Sequence, residues 1–514
     1  MKKGNKYILW FMSLCLLGMI SCNDFLEMKP SKTSSLVPTT LEHLETLLNN
    51  YSSFYQEANR TAIYSTDDYG LYKEIYDAKS NAYGIAGVEF ATWDTEFLPD
   101  DTRENFWANE YKKIFIANMV LEYLGKVTGD EEQKKILEAE AHLIKAYSYW
   151  ILVNTYCLPY TEANKGELGL VLKNSVSFDE PTIRVTLEET YQAIESELTG
   201  ALKLQNSLEM VNNKYRTWRG SKPAANAFAA RYYLSINNYG EALKYAENAL
   251  AEHNVLMNYN TDMRYSANKS EVTINVGLPN QEKVEIMYPY THDNQIDMTD
   301  MLEWKEFYYF RMLNHESWWY LPSKDLLALY DKDYDLRYKY HIVENYSYDR
   351  GLTTPAYEWP GYIFFFKDRV PSGMTVAEMI LTKAECQARQ GLFQEAMNTV
   401  NILRAKRMDV SAPADVINLT AHSKEEAIRK ILEERRREMP FNMRWYDLRR
   451  LNNNEDASDD VVIKREFYPY NNATILGKEA VKTYTLDKNS RRYAAPIHNT
   501  EIESSLGLIK QNTY

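Results

Sequence analysis

Two stretches far apart in this chain spell the same paired-helix pattern, and no other feature restricts its fold as much. Ala230-Arg-Tyr-Tyr-Leu-Ser-Ile-Asn-Asn-Tyr-Gly-Glu-Ala242 aligns with Ala384-Glu-Cys-Gln-Ala-Arg-Gln-Gly-Leu-Phe-Gln-Glu-Ala396. Each copy puts a small residue in one helix, an aromatic (Tyr239, Phe393) after the turn, and Glu-Ala in the next helix. Small side chains let paired helices approach closely, and the aromatic plugs the gap between units. This is the pattern of a tetratricopeptide helix pair. The copies lie too far apart for a simple tandem array, so the sequence predicts helix pairs separated by long insertions.

Apolar periodicity extends the pattern along the chain. Helices are expected over 40–51 with Thr40 as N-cap, over 106–126, over 131–156 before Pro159, and over 187–205. Further helices are expected over 223–236, 239–252, 323–330, 376–389, 393–406 and 424–439. Residues 55–105 and 256–320 are aromatic-rich and lack helical spacing, so loops and short strands are expected there. The end, 455–514, reads as strands, loops and coil.

The amino terminus addresses the chain elsewhere. Lys2, Lys3 and Lys6 precede an apolar run from Tyr7 to Ile20, then Ser21, Cys22 and the polar pair Asn23-Asp24. A basic start and a short apolar core read as a secretory signal over 1–21. The run is shorter than the roughly 20 residues that span a bilayer. A small residue directly before a cysteine, where polarity returns, resembles a lipoprotein cleavage box. The expectation is a lipid-bearing Cys22, a tether over 22–40 and one domain over 41–514.

Charge and cysteine usage exclude other classes. The net charge is −13, and removing 1–21 removes three lysines and no acids. An acidic chain repels phosphate backbones, so nucleic acid is not an expected partner. Beyond the signal, Cys157 and Cys386 fall in apolar helical patterns, which marks buried thiols and no disulfide framework or Cys/His metal site.

Several ordered blocks together resemble the SusD/RagB family of Bacteroidetes outer-membrane lipoproteins. They are Cys22-Asn-Asp-Phe-Leu-Glu27 with Pro30; Trp107, Tyr111, Ile114, Asn118 and Leu121; and Ala139 to Ala146 through Tyr156 and Pro159. Next come Asn401 and Arg404 to Arg407, then Glu434-Arg-Arg-Arg-Glu-Met-Pro-Phe441 with Arg444-Trp-Tyr-Asp-Leu-Arg449. The ending carries Pro496-Ile497, Glu501-Ile502, Gln511-Asn512 and Tyr514. The family usually has Phe-Glu-Gly before Arg-Trp; here Phe441-Asn-Met-Arg444 is one residue shorter and lacks the glycine. Cys157 and Lys145 also depart from the family's usual glycine and arginine.

The resemblance implies an all-α, SusD-like fold with a loop-rich half, and a nutrient-binding lipoprotein that is not an enzyme. Such a protein captures an oligosaccharide or peptide as the lid of a SusC-like TonB-dependent transporter, lipid-anchored at the outer membrane. The alternatives are a surface glycan hydrolase and a tetratricopeptide interaction scaffold.

The residues themselves support binding more than catalysis. His315-Glu316 begins like a zinc helix, but Trp319 stands where the second histidine is needed. Asp331, Asp333 and Asp335 lack the glycine and glutamate of a calcium loop and read as a solvated helix end. No metal or cofactor is expected. Aromatics are the lead, because sugar rings stack a C–H face on an aromatic plane and each such contact adds about 1 kcal/mol. Two clusters supply the candidates: Tyr69, Tyr72 and Trp93 in the first, and Trp304, Tyr308 and Trp318 in the second. Residues 431–450, where Glu433, Glu434 and Glu438 interleave with Arg435, Arg436 and Arg437, are expected to form a local ion-pair clamp.

Overall fold

The computed structural model describes residues 37–94, 105–274, 277–293, 301–316, 320–344 and 360–514. The signal and Cys22 lie outside these. The longer helices are α1 (Leu41–Asn49), α2 (Phe106–Leu124), α3 (Glu131–Tyr156), α4 (Leu187–Ala201), α5 (Lys222–Ser235), α6 (Tyr239–Glu252), α7 (Val376–Arg389), α8 (Phe393–Arg407), α9 (Lys424–Glu438) and α10 (Arg444–Leu451). Most begin where a polar side chain can satisfy the free N–H groups of the first turn. Thr40, Asp130, Ser221, Thr375 and Ser423 each accept from the backbone N–H three residues on. Thr186 and Glu189 form a reciprocal capping box at α4. That helix stops at Ala201, short of the expected Gln205, where Lys203 and Leu204 turn back onto Gly200 and Ala201.

The repeated segments meet in space although the sequence separates them. α5 packs on α6, α7 packs on α8, and α6 packs on α7. Leu234, Ala242 and Cys386 form a buried cluster at that junction, with Tyr239 against it. The guanidinium of Arg389 lies 5.2 Å from the Tyr239 ring centre. Asn237 and Gly391 occupy the same place in the two copies, and both are left-handed, at φ 59° and 85°. Ala230, Ala242, Ala384 and Ala396 are fully buried, as close helix approach requires.

α3 is the central strut. It contacts α2 and α4, and its second half is buried on every side. Trp150 donates to Ser235 Oγ at 3.0 Å, and Trp445 of α10 donates to the Asn154 carbonyl at 2.9 Å. α9 lies on α7 and α8, and α10 lies on α5. Cys157 and Cys386 are buried free thiols.

The insertions form the irregular half. Gln56–Glu57 pairs in parallel with Met312–Asn314, which pairs antiparallel with Arg369–Pro371. Ile463–Phe467 and Lys482–Leu486 form a hairpin-like pair near the end. The fold is mostly helical with a few short strands, as expected.

Local corrections have local causes. Within 55–105 the chain makes short helices, Arg60–Tyr64, Lys73–Ala78 and Ile85–Thr92, too short to show a period. Asn59 caps the first of these. A short helix at Leu336–His341 was also not expected. Asp335 is its N-cap and is no solvated residue: it is 2% exposed and holds Arg337 with both oxygens, at 2.9 and 2.8 Å.

Candidate functional site

The structure brings residues 60–72 against residues 315–316 and 320–324, parts of two aromatic stretches that the sequence keeps apart. The backbones are joined directly: Gly70 N donates to Leu321 O at 2.8 Å and Ser323 N to Asp68 O at 2.7 Å. Tyr69 and Pro322 form an isolated bridge. Gly70 allows the approach, because a Cβ there would lie 2.5 Å from the Tyr72 ring and 3.1 Å from Pro322 O. Tyr64 meets Tyr69 edge-on at 4.9 Å and His315 at 5.3 Å, and His315 meets Tyr320 at 4.9 Å.

The solvent edge of this junction is polar and paired. Arg60 Nε donates to Glu316 at 2.8 Å, and Tyr64 OH donates to the other carboxylate oxygen at 3.0 Å. The Tyr72 hydroxyl accepts from Lys324 N at 2.5 Å, and the Lys324 ammonium stands 5.1 Å from the Tyr72 ring centre. Tyr72 and Arg60 are half-buried, while Glu316 and Lys324 are exposed. The half-buried Tyr72 ring, flanked by charged donors and acceptors, suits a hydroxylated ligand.

Arginines from the other end of the chain hold this loop. Arg436 donates to Asp68 Oδ1 at 3.0 and 2.7 Å, and Arg444 donates to Asp67 at 2.7 and 2.8 Å. Phe441 N donates to Asp68 Oδ2 at 3.1 Å. Arg465 reaches under the loop to the carbonyls of Tyr64, Thr66, Tyr69 and Ala91 and has no carboxylate partner among the described residues. Burial therefore lowers its guanidinium to about 10. Burial works against ionised Asp67, but Arg444 and Arg436 outweigh it and hold the carboxyl well below the usual range. Burial wins at Asp68 and raises it, against the pull of Arg436.

The shortened Phe441-Asn-Met-Arg444 turn belongs to this frame. Phe441 takes a left-handed φ of 66°, and its ring packs on Tyr320 at 5.0 Å and Tyr362 at 5.7 Å. A non-glycine residue in that region costs about 1–2 kcal/mol.

The clamp of 431–450 is real but mostly not local. Arg437–Glu434 is a pair within α9, as expected. Arg435 meets Asp447 within the same stretch, but most partners come from elsewhere: Glu434 also meets Arg404 and Arg337, and Glu438 meets Arg407 and Arg337. Glu433 pairs with Arg429 one turn before it. Burial would raise Glu434, yet Arg337, Arg437 and Arg404 bring it well below its ordinary value. Glu306, which shares Arg407 with Glu438, goes the other way, lifted by burial to about 7.

The sequence candidates separate under this geometry. Tyr69 and Tyr72 lie at the junction, but Tyr69 is buried and serves as frame. Trp93 is core: it donates to Ser65 O at 2.9 Å, with Arg465 at 5.2 Å from its ring. Trp304 is core, packed edge-on against Phe364 and Phe365 at 4.9 and 5.7 Å. Tyr308 is fully buried, with its hydroxyl on the His253 carbonyl. These three rings are buried, and the sequence did not show it because aromatics filling an irregular core have no period that separates them from surface ones. Trp318 lies outside the described residues. Sequence reading missed Arg60, Glu316, Asp67, Asp68 and Arg465; the adjacent acids Asp67-Asp68 in an aromatic stretch were the one available signal.

Glu316 is tied to Arg60, and burial holds the His315 ring neutral by lowering it to about 3. Among the described residues no group of His, Cys, Asp and Glu could hold a metal ion.

Comparison with known proteins agrees with the fold. A family model described as starch-binding, associating with the outer membrane, matches residues 24–234, and a SusD family model matches residues 374–514. No curated protein matches the chain. A SusD superfamily protein from Bacteroides thetaiotaomicron is 18% identical with TM-score 0.60, covering 93% of this chain and 100% of that one. Surface glycan-binding protein A from Bacteroides uniformis is 14% identical with TM-score 0.60, covering 92% and 99%. A laminarin-binding SusD-like protein is 15% identical with TM-score 0.55, covering 92% and 99%. At these identities the solved structures establish the shared fold.

Proposed function

We propose that this chain, which belongs to the SusD/RagB family, captures an oligosaccharide and passes it intact to a SusC-like TonB-dependent transporter. The observation that carries the reading is the junction of 60–72 with 315–316 and 320–324. Two aromatic segments meet there beside exposed Glu316 and Lys324, on a loop fixed by Arg436, Arg444 and Arg465. A loop fixed before the ligand arrives loses little entropy on binding. Tyr72 and Trp318 supply the stacking faces, with Arg60, Glu316 and Lys324 taking hydroxyls. The names of the solved relatives, glycan-binding and laminarin-binding, favour a saccharide over a peptide.

In this reading Cys22 carries the acyl chains that keep the protein at the outer membrane, facing outward. More than one chain makes such anchoring durable. Calorimetric titration of the mature chain, residues 22–514, with starch, laminarin and peptide fragments tests the binding. Co-purification with a large β-barrel tests the partnership.

A further inference from the structure

A second concave surface lies away from that junction. A groove of about 300 Å³ runs between α2, the loop 172–182 and the segment 501–509. Trp107, Tyr111, Phe115, Val171 and Ile509 are among the residues that line it. Its lips are costly to build. Phe178 is 93% exposed, although its loop is tightly held: Glu180 accepts from Asn174 N at 2.8 Å, and Asn118 donates to Lys173 O at 2.9 Å. The ring stacks on Phe115 at 6.1 Å. Across the groove stand Glu501, Ser504, Ser505 and Ile509, and Leu506, next in sequence to Ser505, is 92% exposed at a φ of 55°. A pinned loop that offers a phenylalanine ring to water over an apolar-walled groove marks a surface built to be covered.

The lining specifies the cover. The walls take aliphatic or aromatic side chains. Glu501 is half-buried at the rim, makes no ion pair among the described residues, and burial lifts its carboxyl above the ordinary value. A cation beside an apolar group fits it. The chain before Val37 has that composition: Phe25-Leu26, then Met28-Lys29 and Lys32. It also starts in reach. Leu41 at the head of α1 packs against Gly129, at the turn between α2 and α3. Eleven residues from Leu26 to Val37 extend to about 36 Å, and α2 is about 28 Å long.

We propose that this groove is the seat of the chain's own leader, with Phe25 and Leu26 between Phe178 and Ile509 and a leader lysine at Glu501. Seating would bring Cys22, three residues from Phe25, to one fixed point on the body. The attitude of the body to the membrane would then be set by this contact and not by a free tether. The inference uses the reading of Cys22 as the anchor only for that consequence; the contact itself stands apart from ligand binding.

Disulfide trapping in the full mature chain tests it. With Cys22→Ser throughout, Phe25→Cys is combined either with Ser504→Cys in the groove or with Glu132→Cys on the exposed start of α3. The seat predicts that the 25–504 bond forms about tenfold faster than the 25–132 bond, as an enforced contact should. Equal rates overturn it. As a second readout, Phe25→Ala with Leu26→Ala should let the apolar dye anilinonaphthalene sulfonate bind, and Phe178→Ala should abolish that binding. Dye binding that is equal with and without the leader substitutions overturns the proposal too.

Discussion

Arg436 grips Asp68 across most of the length of the chain, donating Nε and Nη2 to one carboxylate oxygen at 3.0 and 2.7 Å. The pair joins the last long helix of the scaffold to the loop that carries Tyr69 and Tyr72. Beside it Arg444 holds Asp67, so two adjacent acids are fixed by two arginines from consecutive helices.

Removing one partner of such a pair should cost more than a surface ion pair would. Asp68 is fully buried, so Arg436→Ala takes away its paired cation and leaves the carboxylate on Phe441 N, at a cost of about 3 kcal/mol. Urea unfolding should show the loss, and hydrogen exchange at residues 66–72 should quicken in step. An unchanged exchange rate in that loop would mean the arginine does not hold it.

Trp304 and Tyr72 should behave in opposite ways. Trp304 is 3% exposed, so Trp304→Ala should destabilise by about 3–5 kcal/mol. Tyr72→Ala should leave the melting temperature nearly unchanged and weaken glycan binding. Thermal melts of the two variants decide between frame and surface roles.

The left-handed turns make a paired prediction. Gly391→Ala, at φ 85°, should cost about 1 kcal/mol. Asn237→Gly, at φ 59° in the equivalent turn, keeps the backbone but loses the bonds to Arg450 O and from Tyr239 OH, so it should also cost about 1 kcal/mol. Denaturant midpoints for both variants check the equivalence of the two helix pairs.

Stability should depend on pH in two opposed ways. Burial disfavours the charge on Glu385, but Arg450 and Arg389 outweigh it and bring the carboxyl to about 2, below the ordinary 4.5. Its contribution is present above pH 4.5 and is lost as pH falls toward 2. Burial raises Glu306 to about 7, so its contribution is present below pH 4.5 and is lost as pH rises through 7. Glu306→Gln should therefore flatten the stability profile between pH 4.5 and 7 while leaving the acid limb in place. Urea midpoints across that range measure it.

The helical scaffold was legible because its signals are local. The ends of α3, α6 and α7 follow from caps and apolar spacing that sit within each segment. The resemblance between 230–242 and 384–396 even pointed to two units, which the fold sets side by side at Cys386 and Tyr239. The loop-rich half was legible only as composition. Whether an aromatic such as Trp304 faces inward depends on Phe364 and Phe365, some sixty residues on, and no spacing encodes that. The arginines of α9 announced a clamp, yet Asp67, Asp68, Arg337 and Arg407 came from folding and not from helical period.

The central claim is capture without chemistry, and one titration tests it most directly. The mature chain is titrated calorimetrically with starch and laminarin oligosaccharides, and the sugar is recovered and sized by chromatography. The account predicts saturable binding of at least one glycan, weakened at least tenfold by Trp318→Ala or Tyr72→Ala, with the sugar recovered at its original length. No binding to any glycan, or recovery of shortened chains, would contradict it.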